Sequence, residues 1–228
     1  PAAMAAGAAA GYITAFLQTK MRIPSILAGI ITNTGLYTVN LAVMGFSSNV
    51  SLLKADTVFT ALKPLLGTYY RLVPAAVLAL LAAAVLVLFL RTRLGLSIRA
   101  TGDNPDMVRA SSINTAFTVT VGLCISNALT ALSGAILAQY QKTADINLGT
   151  GMVIIGLASL IIGETLTRKG SVGLKAFGAV LGSILYRFII ALALRLDLPS
   201  ECLKLISAVI VALAIGLPAL RGEKKGVA

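Results

Sequence analysis

The chain has 228 residues, of which 57% are hydrophobic and 12% charged, with a mean hydropathy of +0.92. Soluble domains carry about 25% charged residues, so a water-soluble fold of this size could not cover so much apolar surface. The 19 Lys and Arg outnumber the 8 Asp and Glu. No basic stripe interleaved with aromatic residues is present, which argues against nucleic acid as a partner. Such an excess is typical of the cytoplasmic loops of membrane proteins.

The residues that usually carry out catalysis are scarce. The sequence has no His, and its two cysteines, Cys124 and Cys202, are too far apart for a metal or redox motif. No nucleophile–base pair lies within an apolar run, which argues against an intramembrane enzyme. We therefore expect no catalytic residue, no metal ligand and no cofactor in this chain. The chain begins at Pro1 inside an apolar run without a signal-peptide pattern, so we expect that spans preceding it are missing.

Seven apolar runs are candidates to cross the roughly 30 Å hydrocarbon core, which takes about 20 helical residues. No alternating barrel pattern is present, so the runs are predicted to be helices whose backbone groups pair internally. The prediction is an all-α polytopic membrane protein with about seven transmembrane or re-entrant helices, forming one domain over 1–228. The runs are 2–18, 24–46, 70–90, 116–139, 148–166, 172–194 and 204–220. The run 148–166 contains four glycines, so a full span and a re-entrant segment both stay open.

The basic residues predict the orientation. If successive loops between the seven spans alternate between the two sides of the membrane, twelve of the 19 Lys and Arg lie on one side and six on the other. The remaining one, Arg187, lies within a span. The positive-inside rule therefore predicts a cytoplasmic C-terminus, with segment 91–114 also inside. Segment 47–69 then lies outside, where its length allows a short surface helix or a plug between spans.

Uncharged polar residues within the runs are candidates to line a pathway. Asn33 and Asn40 are seven residues apart and share a helix face, and Ser126 and Thr130 are four apart, with Asn127 beside them. Hydrogen bonds between helices are an equally good interpretation of each residue. No carboxylate lies near the middle of a run, which argues against an ion-coupled carrier.

Glycine pairs recur at the four-residue spacing that lets helices approach closely, Gly7 with Gly11 and Gly178 with Gly182. They predict either a contact between two copies of the chain or, as we favour, packing within one copy.

The longest polar stretch is 91–114, and it contains a helix start. Asn104 suits the N-cap, Pro105 the first helical position, and Asp106 the positive end of the helix dipole. A helix of about two turns is predicted from there through Ser111, with the next span beginning near Ala116. So short a helix must dock on something, either a partner protein or the ends of its own bundle.

The sequence of this loop, GLSIRATGDNPDMVRASSIN, and of the following span, SNALTALSGAILAQYQ, resembles a known family. The later stretches DINLGTGMVIIGLASLIIGETL and GSVGLKAFGAVLGSILYRFII, and the earlier KMRIPSILAGIITNTGLYTVNLAVMG, continue the likeness in the same order over nearly the whole chain. The family is that of the permease subunits of ABC importers of the ribose and branched-chain amino-acid type. The closest branch pairs with binding proteins some of which take aromatic amino acids. Ser111-Ser112 departs from the pattern, because many relatives have an apolar residue and a glycine there.

The resemblance implies a non-enzymatic permease in the bacterial inner membrane, present as two copies, commonly identical. ATPase subunits inside the cell would bind ATP and Mg, and a binding protein outside would deliver an amino acid or related solute. The loop 91–114 would offer a short coupling helix near 103–112 to the ATPase, with polar contacts from Asp103 and Arg109 and apolar contacts from Met107 and Val108. The residues on the matching motif are Gly102, Asp103, Asn104, Pro105, Val108, Arg109 and Asn114.

The chain lacks a G-x-x-x-x-G-K-[ST] phosphate loop. That absence fits a permease and equally fits the alternative, a passive channel or ion-coupled carrier that works without an ATPase. The sequence does not identify the solute.

Overall fold

The computed structural model describes residues 1–53, 57–149, 152–167 and 171–195. These residues are mainly α-helical, which confirms the predicted all-α class. They form two compact units, which divide between Asn147 and Leu148. The single membrane domain predicted over 1–228 stays a prediction.

The first unit contains seven helices and two short strands among its described residues. The helices are α1 (Ala2–Thr19), α2 (Ser25–Val43), α3 (Val58–Leu66), α4 (Leu72–Leu90), α5 (Arg93–Asp103), α6 (Pro105–Ala110) and α7 (Thr115–Gln141). The strands are β1 (Asn49–Ser51) and β2 (Thr143–Asp145). The second unit contains α8 (Met152–Leu166) and α9 (Val172–Arg195).

Four of these helices, α2, α4, α7 and α9, are long and apolar enough to cross a membrane. They confirm the predicted runs 24–46, 70–90, 116–139 and 172–194. The run 2–18 forms the 18-residue α1. The run 204–220 lies outside the described residues, so the count of about seven stays a prediction.

The glycine-rich run 148–166 is only partly α-helical. A 3-10 turn covers Ile146–Gly149, and α8 begins at Met152 and has 15 residues. At about 1.5 Å per residue it is roughly 22 Å long, which is less than the hydrocarbon core. The helix is therefore shorter than an upright span, and the re-entrant interpretation stays open.

The centre of the first unit is the contact of α1 with α7. A Cβ atom built on Gly7 would clash with the backbone of Asn127, and one on Gly11 would lie 2.8 Å from Cα of Cys124. The order of these contacts shows that α1 and α7 run antiparallel. Further along α1, the Thr14 hydroxyl donates to that of Thr32 on α2 over 3.0 Å.

Two sets of short elements lie at opposite ends of this unit. At one end, β1 pairs antiparallel with β2, with Val50 opposite Ala144, so the chain after α2 is tied to the end of α7. The helix α3 lies at the same end, so segment 47–69 contains a short helix; its role as a surface helix or a plug stays open. At the other end, α5 and α6 connect the last turn of α4 to the first turn of α7.

In the second unit α8 packs on α9 through glycine. A Cβ on Gly182 would clash with the Ser159 carbonyl, and one on Gly178 would lie 2.5 Å from the Thr167 hydroxyl. Both predicted glycine pairs are therefore packed against helices of the same chain. This confirms packing within one copy as the role of these pairs.

Candidate functional site: the loop helices and the polar faces of the spans

The helix α6 begins where the sequence predicts. Asn104 has an extended backbone, and its Oδ1 atom accepts hydrogen bonds from the backbone N–H groups of Asp106 at 3.1 Å and Met107 at 3.0 Å. Pro105 holds the first helical position, where no N–H group is needed. This capping fixes the residue at which α6 begins. A helix of six residues would not be stable alone.

The helix ends one residue earlier than predicted, at Ala110, because the backbone reverses at Ser112. Ser112 has a φ of +60°. The N–H groups of Ser112 and Ile113 donate to the carbonyls of Arg109 and Val108, respectively. This is the Schellman arrangement, which usually has glycine at the left-handed position. The left-handed backbone at this position accounts for the glycine of the family pattern, from which Ser112 departs.

The preceding segment, for which the sequence predicts no helix, forms the helix α5. The hydroxyl of Thr92 caps it by accepting from the Gly95 N–H at 3.2 Å. Gly95 lies so close to the end of α4 that a Cβ would be 2.5 Å from Cα of Leu90. The chain can therefore fold back sharply at this point. Gly102 and Asp103, which the resemblance places on the coupling-helix motif, belong to the last turn of α5. Asn104, the next residue of that motif, is the N-cap of α6.

The helix α5 is fixed to α7 through side chains. The Thr101 and Thr118 hydroxyl oxygens are 2.9 Å apart and both residues are buried. One turn earlier, Ile98 lies against Gly122, where an added Cβ would be 3.4 Å from the isoleucine methyl group. The loop helices and the long span α7 therefore form one packed body.

The two apolar residues of α6 that the resemblance assigns to an ATPase groove differ in their exposure. Met107 is 58% exposed, whereas Val108 is 1% exposed and packs inside this chain. Val108 is therefore not on the surface, and this part of the prediction is corrected. The physical reason is that neighbouring residues on a helix point about 100° apart, so a docked helix buries one and exposes the other.

The charged residues of α6 are exposed. Arg109 Nη1 lies 3.4 Å from Asp106 Oδ1, and Arg109 Nε donates to the Thr115 hydroxyl at 3.1 Å. Asn114 acts as the N-cap of α7, with Oδ1 accepting from the Phe117 N–H at 3.2 Å. The structure thus gives Asn114 a capping role. The exposed residues of α6 are Pro105, Asp106, Met107, Arg109 and Ala110, and Asp103 at the end of α5 is also exposed.

The polar residues predicted to line a pathway lie on two different helices. Asn33 and Asn40 are both exposed on one face of α2. Ser126 and Thr130 are exposed on α7, where the Thr130 hydroxyl donates to the Ser126 carbonyl at 3.0 Å. Asn127 is half-buried, donates to the Leu123 carbonyl at 2.9 Å and lies beside Gly7. It therefore belongs to the contact of α1 with α7.

The opposite end of the unit carries a cluster that the sequence analysis did not predict. The Arg71 guanidinium lies 5.3 Å from the centre of the Tyr70 ring and 5.7 Å from that of Tyr140, which in turn packs edge-on against Phe59. Lys63 lies 6.0 Å above Tyr70. Tyr70 and Tyr140 are 70 positions apart in the chain, so no local sequence pattern predicts that Arg71 lies near both rings. The cluster holds α3 and the start of α4 against the end of α7.

Several apolar spans, packed through glycine and linked at one end by two capped helices, define a polytopic α-helical membrane protein. Comparison with known families specifies its class. The chain belongs to the family described as branched-chain amino acid transport system / permease component, whose model matches residues 1–215. It is an ABC importer permease of the ribose and branched-chain amino-acid type, a family of transport proteins and not of enzymes.

Individual relatives agree with this family. The chain is 36% identical to the tyrosine transport system permease protein of Clostridioides difficile (strain R20291), over 92% of this chain and 68% of that protein. It is 23% identical to the ribose import permease protein of Haemophilus influenzae, over 99% of this chain and 69% of that protein. It is 27% identical to the ribose import permease protein of Escherichia coli (strain K12), over 94% of this chain and 66% of that protein. No solved structure matches the chain significantly.

Proposed function

We propose that this permease imports an amino acid or a related metabolite, and that α6 couples it to a cytoplasmic ATPase. The observation that supports coupling is the surface of α6. Met107 and Arg109 are exposed on a helix whose start is capped by Asn104 and which packs on the rigid α5–α7 body. A helix held in this way can pass a displacement to the spans without changing its own structure.

The partners follow from this role. A second copy of the chain completes the pathway, ATPase subunits bind ATP and Mg, and an extracytoplasmic binding protein delivers the solute. The end that carries α5 and α6 faces the cytoplasm, as does the C-terminus. The positive-inside rule supports this orientation, because four arginines lie at that end, namely Arg91 at the end of α4 and Arg93, Arg99 and Arg109 in the loop helices.

The solute class is supported by the relatives. The relative named for tyrosine transport is 36% identical to this chain, whereas a ribose permease is 23% identical. An amino acid is therefore the better-supported class. The exposed polar faces of α2, with Asn33 and Asn40, and of α7, with Ser126 and Thr130, contribute to the pathway.

The test is a charge reversal at each end of the first unit. Arg109→Glu removes an exposed ion pair of low energetic value, so the chain should fold normally. We expect the variant to lose most ATP-driven uptake in proteoliposomes containing the complete importer, with ATP hydrolysis no longer coupled to transport. Arg71→Glu is the control at the opposite end. It removes the contacts of Arg71 with Tyr70 and Tyr140 and should lower stability, but it should retain association with the ATPase.

Two results would contradict the proposal. One is unchanged uptake and unchanged co-purification of the ATPase with Arg109→Glu. The other is a wild-type chain that purifies from its native membranes in mild detergent as a homo-oligomer without any protein that carries a phosphate loop. The second result would favour a channel or carrier.

A further inference from the structure

One face of α2 carries hydrogen-bonding side chains that the packing of the chain does not use. Positions that recur every three or four residues share a helix face. On this face lie Ile26, Ile30, Asn33, Tyr37, Asn40 and Met44. Asn33 and Asn40 are exposed, and Tyr37 is 47% exposed. The side of α2 that packs on α1 is a different one, where Ala28 and Thr32 are buried.

This polar face is not suited to lipid. The helix α2 is apolar enough to cross a membrane, and within the described residues Asn33, Tyr37 and Asn40 make no side-chain hydrogen bond. Unpaired amide and hydroxyl groups are costly in hydrocarbon, because no water is available to replace the missing partners. The face must therefore meet water, a solute or other protein groups.

Close packing against another helix is the less favourable of these choices. The first unit joins its long helices through small residues, namely Gly7 and Gly11 between α1 and α7 and the pair Thr14–Thr32 between α1 and α2. The polar face of α2 instead presents large side chains at every position. Asn33 and Asn40 are also two helical turns apart, roughly 10 Å, so a single polar group on a partner helix could not satisfy both.

We infer that Asn33, Tyr37 and Asn40 form one wall of the water-filled solute path, and that Tyr37 recognises a flat ring on the solute. This inference rests on the proposed transport function. Each asparagine amide both donates and accepts hydrogen bonds, and so fits both the ammonium and the carboxylate of a zwitterion. The face carries no charged side chain, so it suits a solute of zero net charge. Between the two amides, the Tyr37 ring offers a surface for stacking.

The first test measures water access along α2. Single cysteines replace Asn33, Tyr37 or Asn40 in a background in which Cys124 and Cys202 are changed to alanine, after that background has been shown to transport. Ile31→Cys and Val39→Cys are matched controls, because both positions carry apolar side chains exposed on α2 at similar depth but on another face. The probe is a charged, membrane-impermeant methanethiosulfonate, applied to proteoliposomes that contain the full chain.

We expect labelling at 33, 37 and 40 to be at least about tenfold faster than at 31 and 39, since the reactive thiolate forms in water and not in lipid. Equal rates at all five positions, whether slow or fast, would overturn the inference. The test does not require the ATPase. Fast labelling at 33, 37 and 40 in a chain that co-purifies with no ATPase would refute only the proposal that α6 couples to an ATPase. Slow labelling at these positions in a chain that does co-purify with an ATPase would refute only the inference that α2 lines the solute path.

The second test addresses the ring. An excess of L-phenylalanine should slow the labelling of Asn40→Cys severalfold, and L-alanine should not. Replacing Tyr37 with Leu should abolish this protection, whereas Tyr37→Phe should retain it, because phenylalanine keeps the stacking surface. Equal protection by both amino acids, no protection by either, or protection that survives Tyr37→Leu would overturn the role of Tyr37.

Discussion

The hydroxyl oxygens of Thr101 on α5 and Thr118 on α7 lie 2.9 Å apart, with the two residues only 8% and 2% exposed. Since each hydroxyl has one proton, one of them donates to the other, which in turn donates to a carbonyl of its own helix, Thr101 to Ser97 or Thr118 to Thr115. The pair is therefore fully satisfied in a buried position, where hydrogen bonds hold geometry well. It joins the loop helices to a membrane-spanning helix.

We predict that Thr101→Val lowers the free energy of unfolding by about 1 kcal/mol, the usual net value of one buried hydrogen bond. Thr118→Val should have a similar effect, and the double variant should lose less than the two single losses added together. The measurement is thermal unfolding of the purified chain in detergent. Strict additivity in this cycle would show that the two hydroxyls do not interact.

A second prediction concerns the close contact of α1 with α7. Gly11→Ala places a methyl group within 3.0 Å of the α7 backbone, so the helices must separate and the unfolding temperature should fall. The matched control is Gly134→Ala on α7, where nothing lies within 4 Å of an added Cβ. That change should leave stability unchanged or raise it by up to about 1 kcal/mol, because alanine favours helix over glycine. Equal behaviour of the two variants would contradict the observed packing.

The sequence predicted α6 well because its signals are local. Asn104, Pro105 and Asp106 act through their own chemistry on the next turn, and so they can be recognised without knowing the fold. The helix α5 was missed because Arg93, Arg99 and Asp103 make its segment read as a polar loop. Its cap at Thr92, followed by Leu94, Ile98 and Thr101 at helical spacing, was the signal that could have revealed it.

For the polar residues of the spans, the sequence predicts which residues share a helix face but not which residues lie opposite them. The shared face of Asn33 and Asn40 follows from their seven-residue spacing and is present in the structure. The role of Asn127 could not be predicted, because it depends on which residue of α1 lies opposite. That residue is Gly7, about 120 positions earlier in the chain, and only the tertiary packing brings the two together.

A third prediction concerns the end of α6. The left-handed backbone at Ser112 disfavours a residue with a side chain by about 1–2 kcal/mol, so Ser112→Gly should raise the free energy of unfolding by about 0.5–1 kcal/mol after the extra backbone entropy of glycine is subtracted. Ser111→Gly is the control, since Ser111 has a negative φ of −84° and should lose stability instead. Thermal unfolding of the two variants checks this, and the reverse order would contradict the assigned backbone conformation.

The last prediction separates folding from coupling at two adjacent residues. Val108 is buried, so Val108→Ala should lower the free energy of unfolding by about 1–3 kcal/mol through the cavity it creates. Met107→Ala removes an exposed side chain and should leave unfolding unchanged. If α6 docks on the ATPase, Met107→Ala should weaken binding of the detergent-solubilised ATPase by about tenfold, the scale of a central interface residue.

The two measurements, thermal unfolding and titration of the ATPase onto the purified permease, distinguish the roles completely. Met107→Leu is the matched control, since it keeps an apolar side chain of similar volume and should retain most of the affinity. A variant at Met107 that binds the ATPase normally would show that the contact lies elsewhere on the loop. Loss of stability in Met107→Ala, which the 58% exposure of Met107 argues against, would instead mean that this methionine packs within the permease itself.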